Sequence, residues 1–281
     1  MGATETLSFD QLITQCLSSG ASIGPAEARI LLEHATGRKK TWLIAHGNEQ
    51  ASDEQATRFR DLARRRYDGE PIAYLTAKRE FFGLSFFVNP DVLIPRADTE
   101  KLVEAAMERV AQNGHVLELG TGSGCIACAL ADQRPDLTIT ATDVTQVSVA
   151  VATKNTIDLG LVDRVKIVCT SWFDGLDLPP LAAIVTNPPY IAQNDIHLDR
   201  GDLRFEPTVA LTDDHDGLFA IKIIVAGAPA RLMPMGWLMI EHGWNQGLSV
   251  RDLMTAAGFK QTESLRDLAG HERITVGQWQ P

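Results

Sequence analysis

Long apolar runs are the first thing this 281-residue sequence lacks: none approaches the roughly 18 residues that a membrane-spanning helix needs. That argues against a spanning helix. The opening, MGATETLSFD, has no basic segment followed by an apolar one, so no secretory leader is expected and the chain reads as cytoplasmic. Gly2 and Thr6 fit the loose M-G-x-x-x-[ST] myristoylation pattern, but nothing basic follows to supply the second anchor that stable attachment needs. Cysteine is scarce too: four in such a chain argue for reduced thiols and against a disulfide framework. Cys125 and Cys128 form a C-x-x-C, yet no second cysteine pair and no histidine pair accompanies them. No metal site is expected, and both read as small apolar packing residues on one helix face. Positive charge is the third shortage. Lys and Arg number 26 against 36 Asp and Glu, and from Arg96 onward the balance is 15 against 24. An acidic domain is a poor electrostatic partner for nucleic acid, so no direct binding to DNA or RNA is expected. What remains is ordinary globular composition, 44% hydrophobic and 22% charged, in a chain long enough for two domains.

Against that plain background, Asn187-Pro188-Pro189-Tyr190 follows the apolar run Ala182–Thr186. Two consecutive prolines fix φ twice and remove two backbone donors, so the carbonyls around them are rigid and locally unclaimed. An asparagine side-chain oxygen beside a fixed prolyl carbonyl makes a two-acceptor clamp for a planar NH2 group. Tyr190 offers a flat apolar face for whatever carries that group. The chemistry this suits is methylation of an amide or an aromatic amine. The plain alternative is a strand ended by an Asn-Pro turn.

A second string stands about sixty residues earlier. His115–Leu119 reads as a short buried strand, followed by Gly120-Thr121-Gly122-Ser123-Gly124 and a small-residue helical stretch, Cys125–Ala131. Strand, glycine loop and helix form the turn that receives a nucleotide-like cofactor at the carboxyl edge of a parallel sheet. A further strand, Leu137–Thr142, ends in Asp143, 19 residues beyond Gly124, where an acid can accept hydrogen bonds from ribose hydroxyls. The loop is G-x-G-x-G, not G-x-G-x-x-G, so a dinucleotide fits it less well.

The N-terminal part reads as short capped helices. Ser8 with Gln11 and Ser52 with Gln55 are capping-box pairs, and Gly24-Pro25 opens a helix to about Ala35. Another short helix is expected at Thr41–Ala45, and the Ser52 helix should run to about Tyr67. That last helix carries Arg58, Arg60, Arg64, Arg65 and Arg66, either a solvated charged face or a docking surface for an acidic partner or its RNA. Arg79–Val88, aromatic-rich and centred on glycine, reads as a β-hairpin. After an amphipathic helix at Glu100–Ala111, strands are expected at about 115–119, 137–142, 165–169, 182–186, 236–241, 258–265 and 272–279, the last two forming a terminal hairpin. The stretch Ile191–Gly217 is too long for an ordinary connection and reads either as a lid or substrate-docking segment or as a surface loop.

Taken together, these strings resemble the class I S-adenosylmethionine-dependent methyltransferases that modify amino groups, and more closely the protein glutamine methyltransferases that act on peptide chain release factors. The resemblance runs from about Gly69 to Gln278. It rests on Gly69–Thr76, Arg79–Leu84, Leu93–Arg96 with Asp98–Glu100, Glu118–Gly124, Asn187–Tyr190, Arg204–Pro207 and Glu241–Trp244. Three departures stand out: Ala77 replaces a usual glycine, Ala97 a usual proline, and Ser171 an Asp that often precedes Trp172. The resemblance implies an α/β fold: a seven-stranded doubly wound Rossmann-like sheet with one antiparallel strand. A small N-terminal helical domain (1–75) for substrate docking would be joined by a β-hairpin (76–95) to the methyltransferase domain (96–281).

It also implies S-adenosylmethionine as cofactor, held by Gly120, Thr121, Gly122, Ser123, Gly124, Asp143, Trp172 and Asn187 with Arg96, Thr99 and Glu100. Catalysis would rest on Asn187, Pro188 and Tyr190, and substrate binding on these with Pro189, Arg204 and Glu206. The expected partner is a class I peptide chain release factor, its Gly-Gly-Gln glutamine the acceptor, and the enzyme a monomer. A glutamine methyltransferase of a ribosomal protein shares nearly every motif. A DNA adenine methyltransferase shares the clamp but is opposed by the acidic charge. A non-enzymatic nucleotide-binding module would leave Asn187–Tyr190 idle.

Overall fold

The computed structural model describes residues 7–18, 23–198 and 200–281, so the myristoylation pattern through Gly2 and Thr6 lies outside the described residues. Contacts divide the chain into two units at Lys78 and Arg79.

The first unit is helical: α1 (Phe9–Ser18), α2 (Pro25–Thr36), α3 (Lys40–Ala45), α4 (Asp53–Tyr67) and α5 (Ile72–Thr76). Both capping boxes form. Ser8 Oγ accepts from the Gln11 N–H at 3.2 Å while Gln11 Oε1 accepts from the Ser8 N–H at 2.8 Å, and Ser52 and Gln55 repeat the exchange at 3.2 and 3.0 Å. Leu12, Leu31, Leu32 and Phe59 lock the helices around a core of their own. Much of the arginine charge on α4 is balanced inside this unit. Arg64 pairs with Asp61 at 2.9 Å, Arg65 with Glu70 at 2.5 Å and Arg66 with Glu27 at 2.8 Å. Carboxylates so placed favour the self-neutralised, solvated face over a docking surface for an acidic partner. Ala77 ends α5 at φ +52°, the left-handed conformation for which a glycine is usual.

A hairpin begins at that division, β1 (Lys78–Phe81) and β2 (Leu84–Phe87). Its two-residue turn, Phe82-Gly83, has φ of +52° and +76°, the left-handed pair of a type I′ connection. The Phe82 N–H is held by the Glu100 carboxylate at 2.9 Å. There follow α6 (Glu100–Arg109), β3 (His115–Leu119), α7 (Cys125–Gln133), β4 (Thr138–Asp143), α8 (Gln146–Asp158), β5 (Val165–Cys169) and β6 (Leu181–Thr186). The chain then runs through α9 (Thr208–Leu211), α10 (Phe219–Gly227), β7 (Leu232–Glu241), α11 (Gly247–Ala256), β8 (Lys260–Arg266) and β9 (Glu272–Gln278). Seven strands form one sheet in the order β5-β4-β3-β6-β7-β9-β8, parallel except for β9.

Alternation along the strands sends apolar side chains to both faces. Val116 and Val185 pack with α6 and α7, while Leu117, Leu119 and Ile184 pack with α10 and α11. Cys125 and Cys128 are buried, free packing residues of the first layer; desolvation pushes both thiols up, Cys128 to about 12, so neither is a ready nucleophile. Strand β7 starts at Leu232, four residues earlier than the sequence reading puts it. Pro234 interrupts the strand pattern, but a register shift opposite Leu181–Ala183, with Met235 at φ +68°, lets the strand continue through it.

Candidate active site

The order of the strands places β3 beside β6, Leu119 level with Thr186, so the glycine loop and Asn187–Tyr190 leave the sheet side by side at its carboxyl edge. A cavity of about 300 Å³ opens there. Of the residues expected at the site, Arg96, Thr99, Gly120, Thr121, Gly122, Ser123, Asp143, Trp172, Asn187 and Pro189 line it.

The loop keeps its shape through local bonds. The Thr121 N–H donates to the Thr142 carbonyl at 2.8 Å, and the Gly124 N–H turns back onto the Thr121 carbonyl at 2.8 Å. Gly122 sits at φ +54° with open space where a Cβ would project. Gly124, at φ +81°, would bring a Cβ to 3.2 Å of the Ala152 methyl; it serves the packing of α7 on α8 and does not line the cavity. Asp143 Oδ2 accepts from the Gly122 N–H at 2.9 Å and Oδ1 from the Thr145 N–H at 3.0 Å, which fixes the carboxylate at the cavity wall. Trp172 takes φ +45°, a costly conformation for a bulky residue, in a turn closed by the Asp174 N–H on the Ser171 carbonyl at 2.9 Å. Ser171, standing where an Asp is often found, lines the cavity beside it.

Beneath the loop lies Glu118, fully buried at the end of β3. Its Oε2 accepts from the Thr121 hydroxyl at 2.8 Å and the Ala127 N–H at 3.1 Å, while Oε1 has no partner. Burial dominates, and the carboxyl group is pushed up to about 8.

On the other side, Asn187 Nδ2 donates to the Thr99 hydroxyl at 3.3 Å. Pro188 is buried behind the cavity lining and Tyr190 is half-buried, its hydroxyl donating to Glu241 Oε1 at 3.4 Å. Burial first, then the Glu241 carboxylate, pushes the Tyr190 phenol up, so it stays protonated. The Gln246 amide donates to the Tyr190 carbonyl at 3.0 Å and the Gly217 carbonyl at 3.1 Å, while its oxygen takes the Gly243 N–H at 2.8 Å.

Gly124, Pro188 and Tyr190 adjoin the cavity in sequence without lining it, and three more of the expected residues stand elsewhere. Glu100 holds the β1–β2 turn. Glu206, its side chain wholly buried, pairs with Arg96 at 2.6 Å. Arg204 lies over the Phe205 ring, 4.8 Å from its centre. Other residues reach the cavity without having been expected. Cys125 and Ile126 come from α7, Val144 and Ser148 follow β4, and Val209, Ala210, Thr212, Asp213 and Asp214 form a wall. That wall belongs to the long Ile191–Gly217 segment, whose start and end are tied by a bridge between Ile191 and Thr212. Val144 could have been found from its place next to Asp143; the wall had no signal beyond the length of its loop.

Two families match the sequence, one described as PrmC N-terminal domain over residues 11–76 and one as methyltransferase small domain over residues 97–203. The release factor glutamine methyltransferase of Neisseria gonorrhoeae is 47% identical over 256 residues, which cover 90% of this chain and 93% of that one. The Escherichia coli protein of the same name is 44% identical over 254 residues, covering 90% and 91%. Among solved structures, a methyltransferase from Pyrococcus furiosus matches with a TM-score of 0.56 at 16% identity, over 79% of this chain and 99% of that one. At that identity the likeness is one of fold alone.

Proposed function

Because this chain belongs to the release factor glutamine methyltransferase family, we propose that it transfers a methyl group from S-adenosylmethionine to the side-chain amide nitrogen of the glutamine in the Gly-Gly-Gln motif of class I peptide chain release factors. The observation that carries this reading is the bond from Asn187 Nδ2 to Thr99, which leaves Asn187 Oδ1 as a free acceptor at the cavity. A substrate must then present a donor, and a primary amide does.

The cavity suits the cofactor: Gly122 leaves space where a side chain would intrude, and a fixed carboxylate and a tryptophan stand within reach of a nucleoside. Gly120–Ser123, Asp143 and Trp172 would hold it. When bound, S-adenosylmethionine supplies a methyl group on a positively charged sulfur. Asn187 Oδ1 and the Pro188 carbonyl hold the two N–H bonds of the substrate amide, and Tyr190 stacks on its plane. An amide nitrogen is a poor nucleophile because its lone pair is delocalised into the carbonyl. Acceptors off the amide plane favour a pyramidal nitrogen, whose lone pair is free to attack. Holding the reacting atoms near contact supplies much of the acceleration. As the N–C bond forms, the bond from the methyl group to sulfur would break, its electron pair staying on sulfur as a neutral thioether, and one N–H proton would pass to water.

The helical unit, 1–75, is proposed to dock the substrate, and the hairpin, 76–95, to join it to the catalytic domain, 96–281. A cytoplasmic monomer fits this role; among the described residues no helix is long and apolar enough to cross a membrane. Labelled S-adenosylmethionine, incubated with purified class I release factor and with a variant lacking the Gly-Gly-Gln glutamine, tests the reading. Label on the native factor alone is expected. Label on neither overturns the release factor as substrate and points to a ribosomal protein.

A further inference from the structure

The Asn187 side chain can be held by Thr99 in either of two orientations, and only one is useful. With Nδ2 donating, Oδ1 faces the cavity as an acceptor; flipped, the amide would present its own NH2 to the NH2 of a substrate. What decides is the single proton of the Thr99 hydroxyl. If that proton is claimed elsewhere, Thr99 Oγ1 can only accept from Asn187, and the useful orientation follows.

The claimant is Glu241, at the carboxyl end of β7. It is buried, 1% exposed; Oε1 takes a hydrogen bond from Tyr190 at 3.4 Å, and the Thr99 hydroxyl stands near enough to hold the carboxyl down. Its Oε2 has no hydrogen-bond partner, so a buried acceptor is open to the Thr99 proton. Tyr190, 51 residues away, and Asn187, by way of Thr99, 88 residues from it, therefore converge on one carboxyl group. We propose that Glu241 is a positioning residue: as a shared anionic acceptor it orients the Asn187 amide through Thr99 and holds the Tyr190 ring directly. The proposal rests on the reading of Asn187 as the acceptor for a substrate amide.

A charge in that place is held on a narrow margin. Burial pushes the Glu241 carboxyl up to about 7; the nearby Thr99 hydroxyl and the Arg273 guanidinium pull it down, and Asp98 pushes it up. The other charged or titratable groups facing it are Tyr190 and Cys125, while Arg273 is shared with Asp98 at 3.7 Å and Asp267 at 3.4 Å. When Glu241 takes a proton it can donate to Thr99, the Thr99 proton is released toward Asn187, and the amide is free to turn.

Two measurements on the full-length enzyme test this. In the first, the Asn187 side-chain amide is observed by nitrogen-15 NMR without substrate, assigned by its loss in Asn187→Ala. In wild type its signals should titrate near pH 7, and in Glu241→Gln the step should be gone. A signal unmoved between pH 5.5 and 8.5, or one titrating alike in both proteins, overturns the proposal. In the second, kcat and KM are measured with release factor. Glu241→Gln and Thr99→Val should each lower kcat about 30-fold or more, and the double variant should fall no further than about threefold beyond the worse single one. Thr99→Ser should retain most activity, and the affinity for S-adenosylhomocysteine should stay within about threefold throughout. Multiplicative losses, or a fall in nucleoside affinity as large as the fall in kcat, would instead mark a general structural role and sink the idea. If wild type methylates no release factor, the substrate reading fails alone, because the NMR titration still decides the role of Glu241.

Discussion

The two halves of the cavity take their shape from different distances along the chain. In the glycine loop, Thr121 bonds Glu118, 3 residues away, and Gly122 bonds Asp143, 21 away. In the substrate clamp, Asn187 depends on Thr99, 88 residues away, and Tyr190 on Glu241 and Gln246, 51 and 56 away. A cofactor shared by many enzymes can be held by one strand-loop-helix unit whose backbone does the binding. A clamp for one kind of side chain needs polar groups oriented to within a hydrogen bond, and here these come from three separate segments. The halves should then fail separately when mutated.

The largest separation is expected from Asn187→Ala. It removes an acceptor used in the reacting complex, and kcat should fall about 1000-fold, roughly 4 kcal/mol of transition-state stabilisation, with cofactor affinity within about threefold. Gly122→Val should do the reverse. A β-branched residue at φ +54° is strained, in a loop that lines the cavity. Titration calorimetry should show about 100-fold weaker S-adenosylhomocysteine binding, with release factor affinity nearly unchanged. If both variants lose both affinities, the halves are one cooperative unit and the comparison breaks.

The same contrast of distances explains what could be read in advance. The seven strands, the lone antiparallel one and the meeting of Gly120–Gly124 with Asn187 follow from apolar alternation, glycine spacing and the family resemblance. Arg204, Glu206 and Glu100 came from motif membership, and a motif does not say which way a side chain points. Glu206 spends its carboxylate on Arg96, and Glu100 spends its own on the Phe82 amide. The role of Glu241 was invisible because its meaning lies in Thr99 and Tyr190, which the sequence sets far from it. The wall from Val209 to Asp214 was hidden for a related reason: no periodicity marks a segment held by scattered ties, such as the Ile191–Thr212 bridge and the Phe219 N–H on the Asp213 carboxylate at 2.7 Å.

A third variant sharpens the local side of the comparison through pH. Glu118 has its folded value raised to about 8 from an ordinary 4.5, chiefly by burial. A raised value means that the folded state holds a proton the unfolded state has lost, so this group's contribution is complete below about 4.5 and disappears as pH rises through 8. The oxygen left without a partner, Oε1, is the one able to carry that proton. Glu118→Gln keeps the acceptor for Thr121 and Ala127 and cannot ionise. Denaturation between pH 5 and 8.5 should therefore show wild type losing about 2–4 kcal/mol relative to the variant. Parallel curves would mean that the carboxylate is already ionised and stabilised in place.

The smallest effect bears on how far the distant supports of the clamp extend. Gln246 lies outside the cavity, yet its amide spans three chain segments: the Tyr190 carbonyl, the Gly217 carbonyl and the Gly243 N–H. Each bond is of ordinary strength, about 1 kcal/mol net. Gln246→Ala unpairs backbone groups of the buried Gly217 and of the half-buried Tyr190 and Gly243, a loss of a few bonds that the fold should survive. The Tyr190 backbone, however, loses its tie to the loop after β7. A loosening of a few tenths of an ångström at the stacking ring should lower kcat/KM for release factor about tenfold, with nucleoside affinity unchanged. A loss below threefold would confine the positioning of Tyr190 to Glu241. A tenfold loss would show that the clamp is held from both the hydroxyl and the backbone ends of the tyrosine, by residues on either side of the same strand end.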